Sequence, residues 1–62
     1  MKIVRGKLLA ATTVYAKGHI SIEWTGDRAE ATVYTDEMAQ AIADRVENEP
    51  TQSVFYLELI DP

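Results

Sequence analysis

Residues 20–34 read ISIEWTGDRAEATVY, and the period of this stretch decides what fold the chain can adopt. Ile20, Ile22 and Trp24 alternate with Ser21, Glu23 and Thr25; Ala29, Ala31 and Val33 alternate with Glu30, Thr32 and Tyr34. A period of two marks half-buried strands. Gly26, between the two runs, tolerates the positive φ that a tight turn requires. With Gly26 and Asp27 at the tip, Trp24 faces Ala29, Ile22 faces Ala31 and Ile20 faces Val33. Every apolar residue of the pair then lies on one face. Small neighbours beside an indole suit a close-packed interior, so Trp24 reads as a core residue and not as a ligand contact.

Upstream, AKG at residues 16–18 predicts a second hairpin, with Gly18 in the left-handed position of a three-residue loop. That register sets Val14 opposite Ile20, Thr12 opposite Ile22 and Ala10 near Trp24. A two-residue loop would bring Tyr15, Thr13 and Ala11 inward, a poorer packing. The residues KIVRGKLL extend the same strand, with Gly6 marking a bend or bulge. Their cations suit an edge that must resist further pairing.

Downstream, DEMAQAIADRVEN (36–48) predicts a helix capped by Thr35 or Asp36, with Met38, Ala39, Ile42 and Val46 as its apolar stripe. Pro50 disfavours helical geometry at Glu49 and ends it. SVFYLELI (53–60) then reads as a final strand with Phe55, Leu57 and Leu59 inward and Val54, Tyr56, Glu58 and Ile60 outward. The expected fold is α+β and two-layered, β-β-β-α-β, with a mostly antiparallel four-stranded sheet and one helix packed on one face. The third and fourth strands are expected to share a direction. Trp24, Ile20, Ile22, Phe55, Leu57, Leu59, Ile42 and Val46 are the expected core.

Sixty-two residues make a single small domain, which buries only about 60% of its unfolded surface. The absence of cysteine excludes disulfides and thiolate zinc sites and fits a reducing compartment. The start MKIVRGKLLAATTVYA has early positive charge but only a short, threonine-broken apolar run, and reads as strand rather than a secretory leader. No apolar run spans a membrane, and a cytoplasmic location is expected. The net charge of −4 is unevenly placed: residues 1–19 carry Lys2, Arg5, Lys7 and Lys17 and no acid, and all ten acids follow. Compensation across the sheet is the expected outcome.

The face of the sheet away from the helix is the first candidate surface. By strand parity it carries Tyr15, Tyr34 and Tyr56, which are all three tyrosines, together with Glu23, Glu30 and Glu58. Tyrosine is enriched at interfaces because it combines apolar area with a polar handle. Glu23 opposite Glu30 is an unfavourable pair that a cation or a basic partner would relieve. Such a face would repel phosphates, so nucleic-acid binding is not expected. The second candidate is the acidic side of the helix, Asp36, Glu37, Asp44 and Glu47, with Glu49 just beyond. A dense row of carboxylates can imitate nucleic-acid phosphates, and it can equally serve as a solvated face.

His19 is the only histidine and lies at a turn, with no serine or cysteine arrangement suggesting a nucleophile. No phosphate loop, dinucleotide fingerprint or calcium loop is present, and one histidine with scattered carboxylates falls short of a zinc site. Neither catalysis nor a metal, cofactor or small-molecule substrate is expected.

Residues 29–60, AEATVYTDEMAQAIADRV…VFYLELI, are similar in layout to small phage-encoded inhibitors, including inhibitors of bacterial RNA polymerase and anti-CRISPR proteins. The resemblance implies stoichiometric inhibition of a host protein and carries over no individual binding residue. The expected partner is therefore another protein. The alternatives are a second copy of the chain, in a structural homodimer through the open sheet face, and a nucleic-acid-binding protein captured by mimicry through the acidic helix.

Overall fold

In the computed structural model, which describes residues 1–8, 11–49 and 54–62, the chain forms β1 (Ile3–Lys7), β2 (Thr13–Lys17) and β3 (Glu23–Thr25). A 3₁₀ turn (Arg28–Glu30), α1 (Asp36–Glu47) and β4 (Phe55–Ile60) follow. The strands make one antiparallel four-stranded sheet in the order β3-β2-β1-β4, and α1 packs against β1 and β4. The α+β, β-β-β-α-β architecture is as expected. Its strands are cut elsewhere than the alternation suggests.

The first expected strand is two strands. After Lys7 the chain reverses: Leu8 N–H donates to Thr12 C=O at 2.9 Å, and Ala11 N–H donates to Leu8 C=O at 2.8 Å, with Ala11 at φ 62°. The reversal sets Arg5 against Tyr15 and Gly6 against Val14. Val4 and Val14 thereby come onto one face and both are buried. A single continuous strand would have spread them along its length and forgone part of about 1.5–3 kcal/mol for each side chain. Consequently β1 is central, not an edge. Two of the amino-terminal cations meet acids, Lys2 Nζ at 2.8 Å from Asp61 and Arg5 at 2.6 Å from Glu58, while Lys7 stays exposed. The expected contact between Ala10 and Trp24 lies outside the described residues.

The β2–β3 hairpin pairs Ala16 with Trp24 and Lys17 with Glu23, leaving residues 18–22 as its loop. Gly18 takes the left-handed conformation, at φ 94°. The loop is wider than three residues because its polar groups find partners elsewhere in the chain. Gly18 N–H donates to Thr32 Oγ1 at 2.9 Å, and its carbonyl accepts from the Tyr34 hydroxyl at 2.6 Å. With these groups satisfied, no tight turn is needed. The wider loop carries Ile20 out of the expected core to 100% exposure. Trp24 keeps a small cross-strand neighbour, but it is Ala16 and not Ala29, and the indole is half-buried against the core.

The run RAEATVY does not form the expected strand. Asp27 Oδ1 accepts from Ala29 N–H at 2.9 Å and starts the 3₁₀ turn. Such a side-chain cap offers the backbone an alternative to a ladder, and alanine and glutamate have little strand preference to oppose it. Ala29 and Val33 are exposed as a result. Only Tyr34 retains a bridge, to Lys2, through two 2.8 Å backbone hydrogen bonds. That bridge and β4 both run against β1. The segment entering the helix therefore shares β4's direction as expected, whereas β3 runs the other way.

On α1, Thr35 is the cap: its Oγ1 accepts from Met38 N–H at 3.1 Å. Ala39, Ile42, Ala43 and Val46 are buried, so the expected stripe gains Ala43 and keeps Met38 at its margin. Asn48 is the C-cap, and Pro50 lies outside the described residues. Among the described residues no helix is long and apolar enough to cross a membrane.

A bulge divides β4. Arg5 pairs with Glu58 and Lys7 with Phe55, so Tyr56 and Leu57 together oppose Gly6, with Tyr56 at φ 54°. One extra residue exchanges the two faces of a strand. Leu57 and Leu59 stay inward, Val54 is drawn in, and Phe55, expected in the core, is turned out to 43% exposure. Gly6 makes this possible. A Cβ there would overlap Val54 Cγ1 and come within 2.9 Å of Leu57 Cδ2. Gly6→Ala should therefore destabilise the protein by about 1–3 kcal/mol in urea unfolding. Gly26→Ala, where an added Cβ meets nothing within 4 Å, should stay within about 0.5 kcal/mol of the parent.

Candidate functional site

The register of the sheet builds its outer face from rows of side chains. One row crosses all four strands as Thr25, Tyr15, Arg5 and Glu58. Tyr15 is half-buried there beside the Arg5–Glu58 ion pair. Glu23 is exposed on β3 opposite Lys17. Glu30 belongs to the 3₁₀ turn, where its carboxylate accepts from Thr25 Oγ1 at 2.9 Å. The expected Glu23–Glu30 repulsion therefore does not arise, because the strand that would have opposed them never forms. The amino-terminal cations are spent largely on this compensation.

The three tyrosines do not share a face. Tyr34 is 1% exposed, which corrects its expected place on an open surface. Its ring joins Val4, Val14, Ala39 and Ile42 in the core, because the 3₁₀ turn rotates the following residues relative to an uninterrupted strand. His19 packs edge-on against it, with ring centroids 5.4 Å apart. Burial raises the Tyr34 phenol above its ordinary pKa.

The acidic helix residues do fall together. Glu37 and Asp44 are exposed opposite the buried stripe of α1, Asp36 and Glu47 are exposed at its flank, and Glu49 is exposed just past the helix end; Asp36 lies 3.1 Å from the amino terminus. Asp44 accepts from Gln40 Nε2 at 2.9 Å. Among the described residues no three of His, Asp and Glu come close enough to hold a metal ion.

A second aromatic surface lies at the β4 edge of the sheet. Tyr56 is 82% exposed and its neighbour Phe55 43%. Together they form a ridge between two clefts. One is lined by Lys7, Leu8, Ala11 and Glu58; the other by Val46, Glu47, Glu49, Val54 and Leu57. Tyr56 and Glu58 of the expected sheet face thus meet Glu47 and Glu49 of the expected helix face at one place. Phe55 was missed as a surface residue because strand parity assigns it inward. The signal that could have revealed it is Gly6 in the facing strand, a vacancy that calls for a compensating irregularity.

Comparisons with protein-family models, with curated proteins and with solved structures give no match.

Tyr34 is the site residue whose chemistry is testable directly. Because its folded pKa is raised, its contribution to stability is complete below the unfolded phenol value and is lost as pH rises through the folded one. Tyr34→Phe should cost about 1–2 kcal/mol near neutrality, since the Gly18 carbonyl loses its donor. It should also flatten the fall in stability that sets in as pH rises past the ordinary phenol value of about 10 in urea melts.

Proposed function

We propose that this protein acts by stoichiometric, non-catalytic binding to another protein, through the Phe55–Tyr56 ridge on the β4 edge. The observation that carries the reading is the backbone of Tyr56. A bulky residue at φ 54° is a genuine outlier, costing on the order of 1–2 kcal/mol relative to glycine. The strain lifts a large aromatic almost fully into solvent, where its ring gains little by burial. Strained, exposed residues of this kind concentrate at binding sites, and aromatic anchors dominate interface energetics. The edge strand adds unpaired backbone donors and acceptors beside the ring.

Substituting Tyr56 separates stability from function. Tyr56→Gly should raise stability by about 1 kcal/mol in urea unfolding by removing the strain. The same change should weaken capture of the partner held by the parent protein at least about tenfold, the loss of a central aromatic anchor. Glu23→Ala, on the opposite edge, should leave capture unchanged. Retention of the partner by the Tyr56→Gly variant would reject this surface.

A further inference from the structure

The same ridge, taken as a protein-binding site, also specifies the chemistry of its partner, and this inference rests on the reading above. β4 is the sheet's six-residue edge, paired on one side with β1. An extended segment can continue the ladder on its other side, backbone bonds supplying affinity and alternate side chains supplying selectivity. The charges beside that edge then select the occupant. On the helix side, Glu47 and Glu49 line the cleft next to Val54 and Leu57. Both are exposed, and neither has an ion-pair partner among the described residues. On the outer side, Glu58 and Asp61 already hold Arg5 and Lys2, leaving Phe55 and Ile60 as the apolar positions. We infer that the β4 edge receives an extended segment of a partner protein in which basic residues, facing Glu47 and Glu49, alternate with apolar residues facing Phe55 and Ile60.

A second copy of the chain fits this edge poorly. Antiparallel pairing of two β4 strands would leave Glu47 and Glu49 of each copy unpaired, since the cleft they line holds no cation among the described residues. Parallel pairing would set Glu58 directly against Glu58, and like charges directly opposite are destabilising. Lys2 and Arg5 are already paired, and Lys7 lies in the outer cleft with Glu58, not in the cleft of Glu47 and Glu49. The opposite edge is a weaker receptor, since β3 has only three residues and ends in the 3₁₀ turn.

The probes are two octapeptides, one alternating lysine with valine and the other glutamate with valine, titrated into the intact protein by fluorescence anisotropy. The lysine peptide is expected to bind with saturation, more weakly as salt is raised, and the glutamate peptide not to bind. Amide chemical-shift changes should centre on Tyr56–Ile60. Glu47→Gln with Glu49→Gln should weaken the lysine peptide about tenfold while leaving urea stability unchanged. Equal binding of both peptides, no binding of either, shifts confined to β3, or indifference to the double substitution would each overturn the inference. So would a concentration-dependent dimer by sedimentation that is lost on substituting Tyr56 with glycine. If partner capture still depends on Tyr56 while the lysine peptide fails, the binding site stands and the basic-segment assignment falls.

Discussion

Tyr34 ties together parts of the chain that lie far apart in sequence. Its hydroxyl donates to Gly18 C=O at 2.6 Å, its backbone exchanges two 2.8 Å hydrogen bonds with Lys2, and its ring lies in the core beside Ala39 and Ile42. One residue therefore joins the start of β1, the β2–β3 loop and the entry to α1. In a chain of 62 residues the apolar core is thin, and a polar group buried within it must be satisfied or it costs about 1–3 kcal/mol. That requirement fixes where the loop carbonyl sits. The loop carbonyl in turn sets the width of the hairpin and sends Ile20 into solvent. The position of the helix follows from the same residue, since Thr35, its cap, comes next in the chain.

The helix was legible in the sequence, save for the choice of Thr35 over Asp36 as cap and the burial of Ala43, because what specifies it is local: a cap, acids in the first turn and a stripe at helical spacing. The sheet was legible in class but not in its cuts. Alternation records which residues could share a face, not whether a ladder partner exists. In 28–34 the alternation is sound, yet Asp27 captures an amide two residues on and the pattern is overridden. In β4 the alternation fails by a single residue at Tyr56, and one residue is enough to exchange Val54 with Phe55. Both failures arise from backbone events of one or two residues, which a period averaged over seven cannot register.

The candidate surfaces show the same division. The acids of the helix were placed correctly because helical geometry alone positions them. The tyrosines were grouped by a strand parity that the 3₁₀ turn and the bulge each break, so one went to the core, one to the outer row and one to the free edge. What emerged in their place is a meeting of the two surfaces, with Tyr56 and Glu58 from one and Glu47 and Glu49 from the other around a single ridge.

The pairing of Arg5 with Glu58 spans 53 positions of sequence, and this separation orders events in time. The β1–β2 hairpin closes locally, whereas β4 must return across nearly the whole chain, a slow class of contact. A β1–β2 hairpin formed ahead of β4 would have an unpaired side on β1, where the charges of Lys2, Arg5 and Lys7 would discourage a neighbouring chain from adding. The reading of this strand as a guarded edge, wrong for the finished sheet, would suit such a hairpin. In the finished sheet Glu58 of β4 pairs with Arg5 and Asp61, just past the strand, with Lys2. Arg5 and Lys2 would thus serve such a hairpin as a barrier to strangers and the finished sheet as the address for the strand that belongs there.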